Sequence, residues 1–150
     1  MNRKFPLQPL LELMQERSDA ATRRLGELVA AEQSARSRLQ LLQDYRAEYL
    51  QKFEQAQRQG LSLQAWQNYQ DFLAKIDTAI QAQREQVERS AQDTAAGQAH
   101  WQVQNRQLKA IDTLANRHRH RLQQQENRQE QKLTDEFSNR RHLRPPHEAE

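Results

Sequence analysis

Proline occurs in this 150-residue chain only at positions 6, 9, 145 and 146, so nothing between Leu10 and Arg144 carries the residue that most strongly breaks a helix. Glycine adds little interruption, with Gly26, Gly60 and Gly97 as its only occurrences. So few turn-forming residues leave scarcely any room for strands, hairpins or phosphate-cradling loops. A compact globule is also disfavoured, because 35% of the chain is hydrophobic, 29% is charged and 25 residues are glutamine. Long helix remains, and Ala, Leu, Gln, Glu and Arg all favour it.

The apolar residues are periodic. From Leu7 to Ala56 a 4-3 spacing passes through Leu11, Met14, Leu25, Leu28, Leu39, Leu42, Tyr49 and Phe53, and twelve of its fifteen positions are apolar. A second stripe runs from Trp66 through Tyr69, Leu73, Ile76, Ile80, Val87, Trp101, Leu108, Ile111 and Ala115 to Leu122. Between them, Arg58-Gln59-Gly60-Leu61-Ser62 supplies a glycine for the turn and a serine to cap the second helix. Two heptad stripes joined by a short turn predict an all-α fold, a long antiparallel coiled-coil hairpin closed by one seam. The expected organisation is a single domain over 1–150, with helix 1 at about 8–57, the turn at 58–62, helix 2 at about 63–140 and a flexible tail at 141–150. The helices would measure roughly 75 Å and 115 Å at 1.5 Å per residue.

Folding at Gly60 pairs residues whose numbers add to about 122, which sets Ala35 near Val87, Leu25 near Gly97 and small Ala21 beside bulky Trp101. Leu7 then meets Ala115. The helix beyond has no partner in helix 1 and forms a C-terminal helical overhang of about 25 residues.

Catalytic chemistry is not indicated. No nucleotide-binding, zinc-protease or nucleophile-elbow motif occurs, and a two-helix pair offers no concave pocket in which to desolvate a nucleophile. Cysteine is absent, which removes thiol chemistry and disulfides. His118 and His120 are two apart and point to different faces of a helix, so no metal site and no cofactor is expected. Met1 to Leu13 lacks the uninterrupted apolar run of a signal peptide, and nowhere do 18 apolar residues run together. Any membrane contact is therefore expected through protein partners or at the surface.

Two features suggest binding. Residues 101–144 carry ten Lys/Arg against five Asp/Glu, including Arg117, Arg119, Arg121 and Arg128 on the overhang. Nucleic acid is the obvious candidate, but Glu126, Glu130, Asp135 and Glu136 are interleaved and no stacking aromatics accompany the cations, so an acidic protein surface is the better expectation. The second feature is aromatic. Six of the nine aromatics, Tyr45, Tyr49, Phe53, Trp66, Tyr69 and Phe72, lie within 28 residues around the turn. Tyr45, Phe72, Leu41, Leu50 and Ala79 fall off the seam, so each helix offers a second apolar stripe near the same tip, as a docking surface would.

The segments Leu41-Leu42-Gln43-Asp44-Tyr45-Arg46-Ala47-Glu48-Tyr49 and Trp66-Gln67-Asn68-Tyr69-Gln70-Asp71-Phe72-Leu73, with Ile76 and Ile80 after them and a tail containing Asp135-Glu136-Phe137, resemble the FliJ family of bacterial flagellar export proteins. The resemblance covers nearly the whole chain. It implies a non-enzymatic, cytoplasmic component of the flagellar type III export apparatus, peripheral to the inner membrane at the flagellar base. Such a stalk, similar to the γ subunit of rotary ATPases, sits in the hexamer of the export ATPase, contacts the cytoplasmic domain of the membrane export-gate protein and binds export chaperones. By resemblance the gate-binding stripe falls on Arg38, Leu42, Tyr45, Tyr49, Phe72, Ile76, Ala79 and Gln83, and the basic overhang, with Arg117, Arg119, Arg121 and Arg128, enters the ring. The alternatives are a nucleic-acid-associated coiled coil and the equivalent stalk of a virulence secretion system.

Overall fold

The computed structural model describes residues 3–142, and those residues form two helices, α1 (Gln8–Gln59, 52 residues) and α2 (Leu63–His142, 80 residues), packed as an all-α hairpin without strands. The turn is built as its sequence requires. Gly60 adopts a φ of 94°, a region where side-chain-bearing residues are strained, and its N–H donates to the Gln57 carbonyl at 3.3 Å. The Ser62 hydroxyl accepts from the Ala65 amide at 3.1 Å and caps α2. Both helices continue two residues past their expected ends, to Gln59 and His142. Of the expected tail, Arg141 and His142 are thus helical, and residues 143–150 lie outside the described residues.

The described residues group into two compact units, one of Ser18–Gln104 and the other of the segments before Ser18 and after Gln104. In the first, the core is a single row of side chains: Ser18, Ala21, Ala35 and Phe53 from α1, and Leu73, Ile76, Ile80 and Ser90 from α2. Four contacts between the helices fix the register. Arg46 bonds Asp77 at 2.6 Å, Gln83 Nε2 donates to the Ala35 carbonyl at 3.0 Å, Thr94 Oγ1 to the Leu28 carbonyl at 3.3 Å, and Trp101 Nε1 to Thr22 Oγ1 at 2.9 Å. The numbers in each pair add to between 118 and 123, close to the expected 122. Small residues let the backbones approach. A Cβ placed on Gly97 would meet Leu28 Cδ1 at 2.5 Å. Trp66, expected in the seam, is exposed, because the interface closes on the Phe53–Tyr69 ring pair, at 5.2 Å, one turn before it.

In the second unit Met14 and Ala115 are buried. Leu7 is exposed instead of facing Ala115, and Phe5 takes over: its ring lies 5.6 Å from that of His118. His118 Nε2 is 3.4 Å from the Arg3 carbonyl oxygen, which only accepts, so that nitrogen is the donor. The residues before α1 thereby carry the packing on to Leu122, and every described residue from Gln123 to His142 is exposed. The overhang starts later than expected, so of the four arginines expected on it only Arg128 lies there, and Arg117, Arg119 and Arg121 lie on the stretch that is still packed. Among all described residues, no large side chain is fully enclosed.

Candidate functional site

Near the turn the aromatic residues form a ladder whose rungs alternate between helices. Tyr45 of α1 meets Phe72 of α2 edge to face at 6.0 Å and 72°; Phe72 lies 4.3 Å from Tyr49 of α1; Tyr49 lies 5.2 Å from Tyr69 of α2; and Tyr69 reaches Phe53 of α1. The ladder grades from surface to core. Tyr45 is 49% exposed, Phe72, Tyr49 and Tyr69 are half-buried, and Phe53 is buried. Burial, and after it the neighbouring Tyr69 and Tyr45 hydroxyls, pushes the Tyr49 phenol above its ordinary value of 10.0. The hydrogen bond from Arg46 to Asp77, and then the Asp77 charge, push the Arg46 guanidinium up as well.

This geometry divides the residues of the expected gate-binding stripe. Tyr45, Ala79 and Arg38 are exposed, while Leu42 and Tyr49 are half-buried. Ile76 is only 5% exposed and belongs to the core, where it cannot present a surface. Gln83 is half-buried and its amide is spent on the Ala35 carbonyl. Phe72 lies off the seam by its heptad position, yet its ring reaches inward to Tyr49. Leu50, also off the seam by heptad position, is half-buried. The side chain missing from the stripe is Leu41, 69% exposed and one turn before Tyr45, where it extends the same apolar face. Its off-seam position is the signal for it.

In the other unit Arg117, Arg119, Arg121 and Arg128 are all exposed. They are not one patch. Arg117 and Arg121 line a shallow groove with Thr113, Asn116, His120 and Gln124, whereas Arg119 points to another side and donates to Asn116 Oδ1 at 2.6 Å. Among the described residues there is no grouping of three or more His, Cys, Asp or Glu able to hold a metal, and no helix is long and apolar enough to cross a membrane.

A two-helix fold with an exposed apolar face is common to many proteins, and likeness to known sequences decides between them. The family model described as "Flagellar FliJ protein" matches residues 3–147. The chain belongs to the flagellar FliJ family. Two of its relatives carry the name Flagellar FliJ protein: one from Salmonella typhi is 32% identical over 140 residues, and one from Escherichia coli (strain K12) is 31% identical over 140 residues. Each alignment spans 93% of this chain and 95% of the relative. Membership of the FliJ family makes the chain a component of flagellar protein export, and the aromatic ladder and the overhang are to be read in that setting.

Proposed function

We propose that the protein is the stalk of the flagellar export ATPase, joining the ATPase hexamer to the cytoplasmic domain of the membrane export-gate protein. It has no catalytic site of its own, works in the cytoplasm at the flagellar base and binds export chaperones. The observation that carries this reading is the apolar face of Leu41 and Tyr45, about four to five helical turns before the end of α1, backed at Tyr45 by rings from both helices and left open to solvent. Exposed aromatic and aliphatic groups on a rigid backing are the usual anchors of a protein interface. The gate contacts are assigned to Leu41, Leu42, Tyr45, Phe72, Ala79 and Arg38, with Tyr49 and Ile76 supporting them from beneath. The ring contacts are assigned to the C-terminal part of α2, to Arg117, Arg119 and Arg121 at the end of the paired stretch and to Arg128 on the helix beyond Leu122, since exposed cations there suit an acidic protein surface.

Binding of the isolated gate domain and stimulation of the ATPase separate the two assignments. Tyr45→Ala is expected to weaken gate binding roughly thirtyfold, the loss typical of an aromatic hot spot of about 2 kcal/mol, and to leave ATPase stimulation intact. Deletion of residues 123–150 is expected to do the reverse. Equal loss of both activities in either variant, with helicity retained by circular dichroism, would count against the division.

A further inference from the structure

Between Arg106 and Lys132 the sequence of α2 mixes cations with Asp112, Glu126 and Glu130, but the helix sorts them. At about 100° per residue, with Arg117 as origin, Arg106, Lys109, Arg121, Arg128 and Lys132 fall within about 80° to either side, and the three acids lie at least about 140° away. The residues packed toward α1 in this unit, Leu108, Ile111, Ala115 and Leu122, centre on the acidic side, so the basic stripe faces away from the seam. All six cations are exposed, and none forms an ion pair or hydrogen bond through its side chain among the described residues. Ala110 and Leu114, both exposed, lie on the same face.

We propose that this face binds the anionic headgroup surface of a phospholipid bilayer. A straight row of unpaired cations about 39 Å long matches a flat array of phosphates. Leu114, 41% exposed between the arginines, gives the row a shallow apolar contact that a headgroup layer accepts and a nucleic-acid backbone does not use. No Phe, Tyr or Trp lies on the stripe to stack on bases, and the His120 imidazole is its one ring. Arg119 lies on the acidic side and takes no part. The stripe shares Arg117, Arg121 and Arg128 with the ring assignment, so a chain lying on lipid has these residues covered, and lipid and ring exclude each other.

Sedimentation of the full chain with vesicles tests this without any ATPase present, so it can fail independently of the stalk reading. Mixed phosphatidylglycerol–phosphatidylcholine vesicles are expected to bind the protein, pure phosphatidylcholine vesicles are not, and rising salt is expected to release it. Replacing Arg117, Arg121 and Arg128 together by Gln should lower the partition about a hundredfold, at about fivefold per cation, while replacing all three by Lys should largely preserve it. Arg119→Gln should leave it unchanged. The proposal is overturned if wild-type protein ignores the anionic vesicles, if the triple Gln variant binds them as before, or if Arg119→Gln loses as much as Arg121→Gln. It is equally overturned if duplex DNA at equal phosphate concentration strips the protein from the vesicles, which would assign the stripe to nucleic acid.

Discussion

The ring of Tyr45 stands edge-on against that of Phe72, 6.0 Å away, and the two differ in what lies beneath them: Tyr45 faces solvent, whereas Phe72 rests on Tyr49 at 4.3 Å. Phe72→Ala therefore removes packing as well as surface and is expected to destabilise the hairpin by about 2 kcal/mol, below the range for a fully buried Phe. Tyr45→Ala is expected to cost less than about 1 kcal/mol. Urea unfolding monitored by circular dichroism measures both. Equal destabilisation would place Tyr45 in the core and remove it as a docking residue.

The glycines inside the helices should respond differently to alanine. Open space surrounds a Cβ at Gly26, so Gly26→Ala is expected to gain about 1 kcal/mol from helix propensity alone. At Gly97 the same methyl meets Leu28 Cδ1, and displacing that side chain from its rotamer costs about 1 kcal/mol, which offsets the gain. Similar shifts in the urea midpoint for both variants would mean that the helices do not approach closely at Gly97.

Gln104 carries a buried side-chain oxygen without a hydrogen-bond partner among the described residues. An unsatisfied acceptor of this kind costs about 1–3 kcal/mol, so Gln104→Leu is expected to raise the melting temperature. A lower melting temperature would show that the amide makes a contact whose loss outweighs the relief.

Alkaline pH offers a test of the aromatic ladder. The Tyr49 phenol ionises at higher pH in the folded chain than in the unfolded one, so the unfolded state loses its proton first as pH rises. The stability from this group is complete below the ordinary value of 10.0 and is lost as pH climbs from there through the folded value. Thermal unfolding at a series of pH values should show that loss in the wild type, and Tyr49→Phe should diminish it. A variant with an unchanged alkaline slope would place the titration elsewhere.

The heptads make the helices and their facing sides legible, because a stripe repeating every three or four residues has only one side of a helix to occupy. Phe72 shows where that reading stops. A heptad position locates a Cα, but a ring is long enough to reach inward from a flanking position, as this one does to Tyr49. Phe5 escapes the heptads for a different reason: it precedes α1, where no periodicity exists to betray its contact with His118. Ile76 reads in sequence as both seam and surface, and its burial settles on the seam. The run Arg117-His118-Arg119-His120-Arg121 reads as one basic block in sequence, yet helical rotation directs Arg119 away from its neighbours.

That no large side chain among the described residues is fully enclosed bears on how the protein opens. In a globule, amide hydrogens deep in the core exchange only when the whole fold unravels. A pair of helices has no such depth, and protection should decline along each helix toward its ends, with the unpaired Gln123–His142 stretch exchanging first. A partner laid along the seam would add a third wall and give these side chains their first true interior. Slowed exchange around the Tyr45–Phe53 rungs on adding the gate domain would thus trace the footprint of docking without altering a single residue.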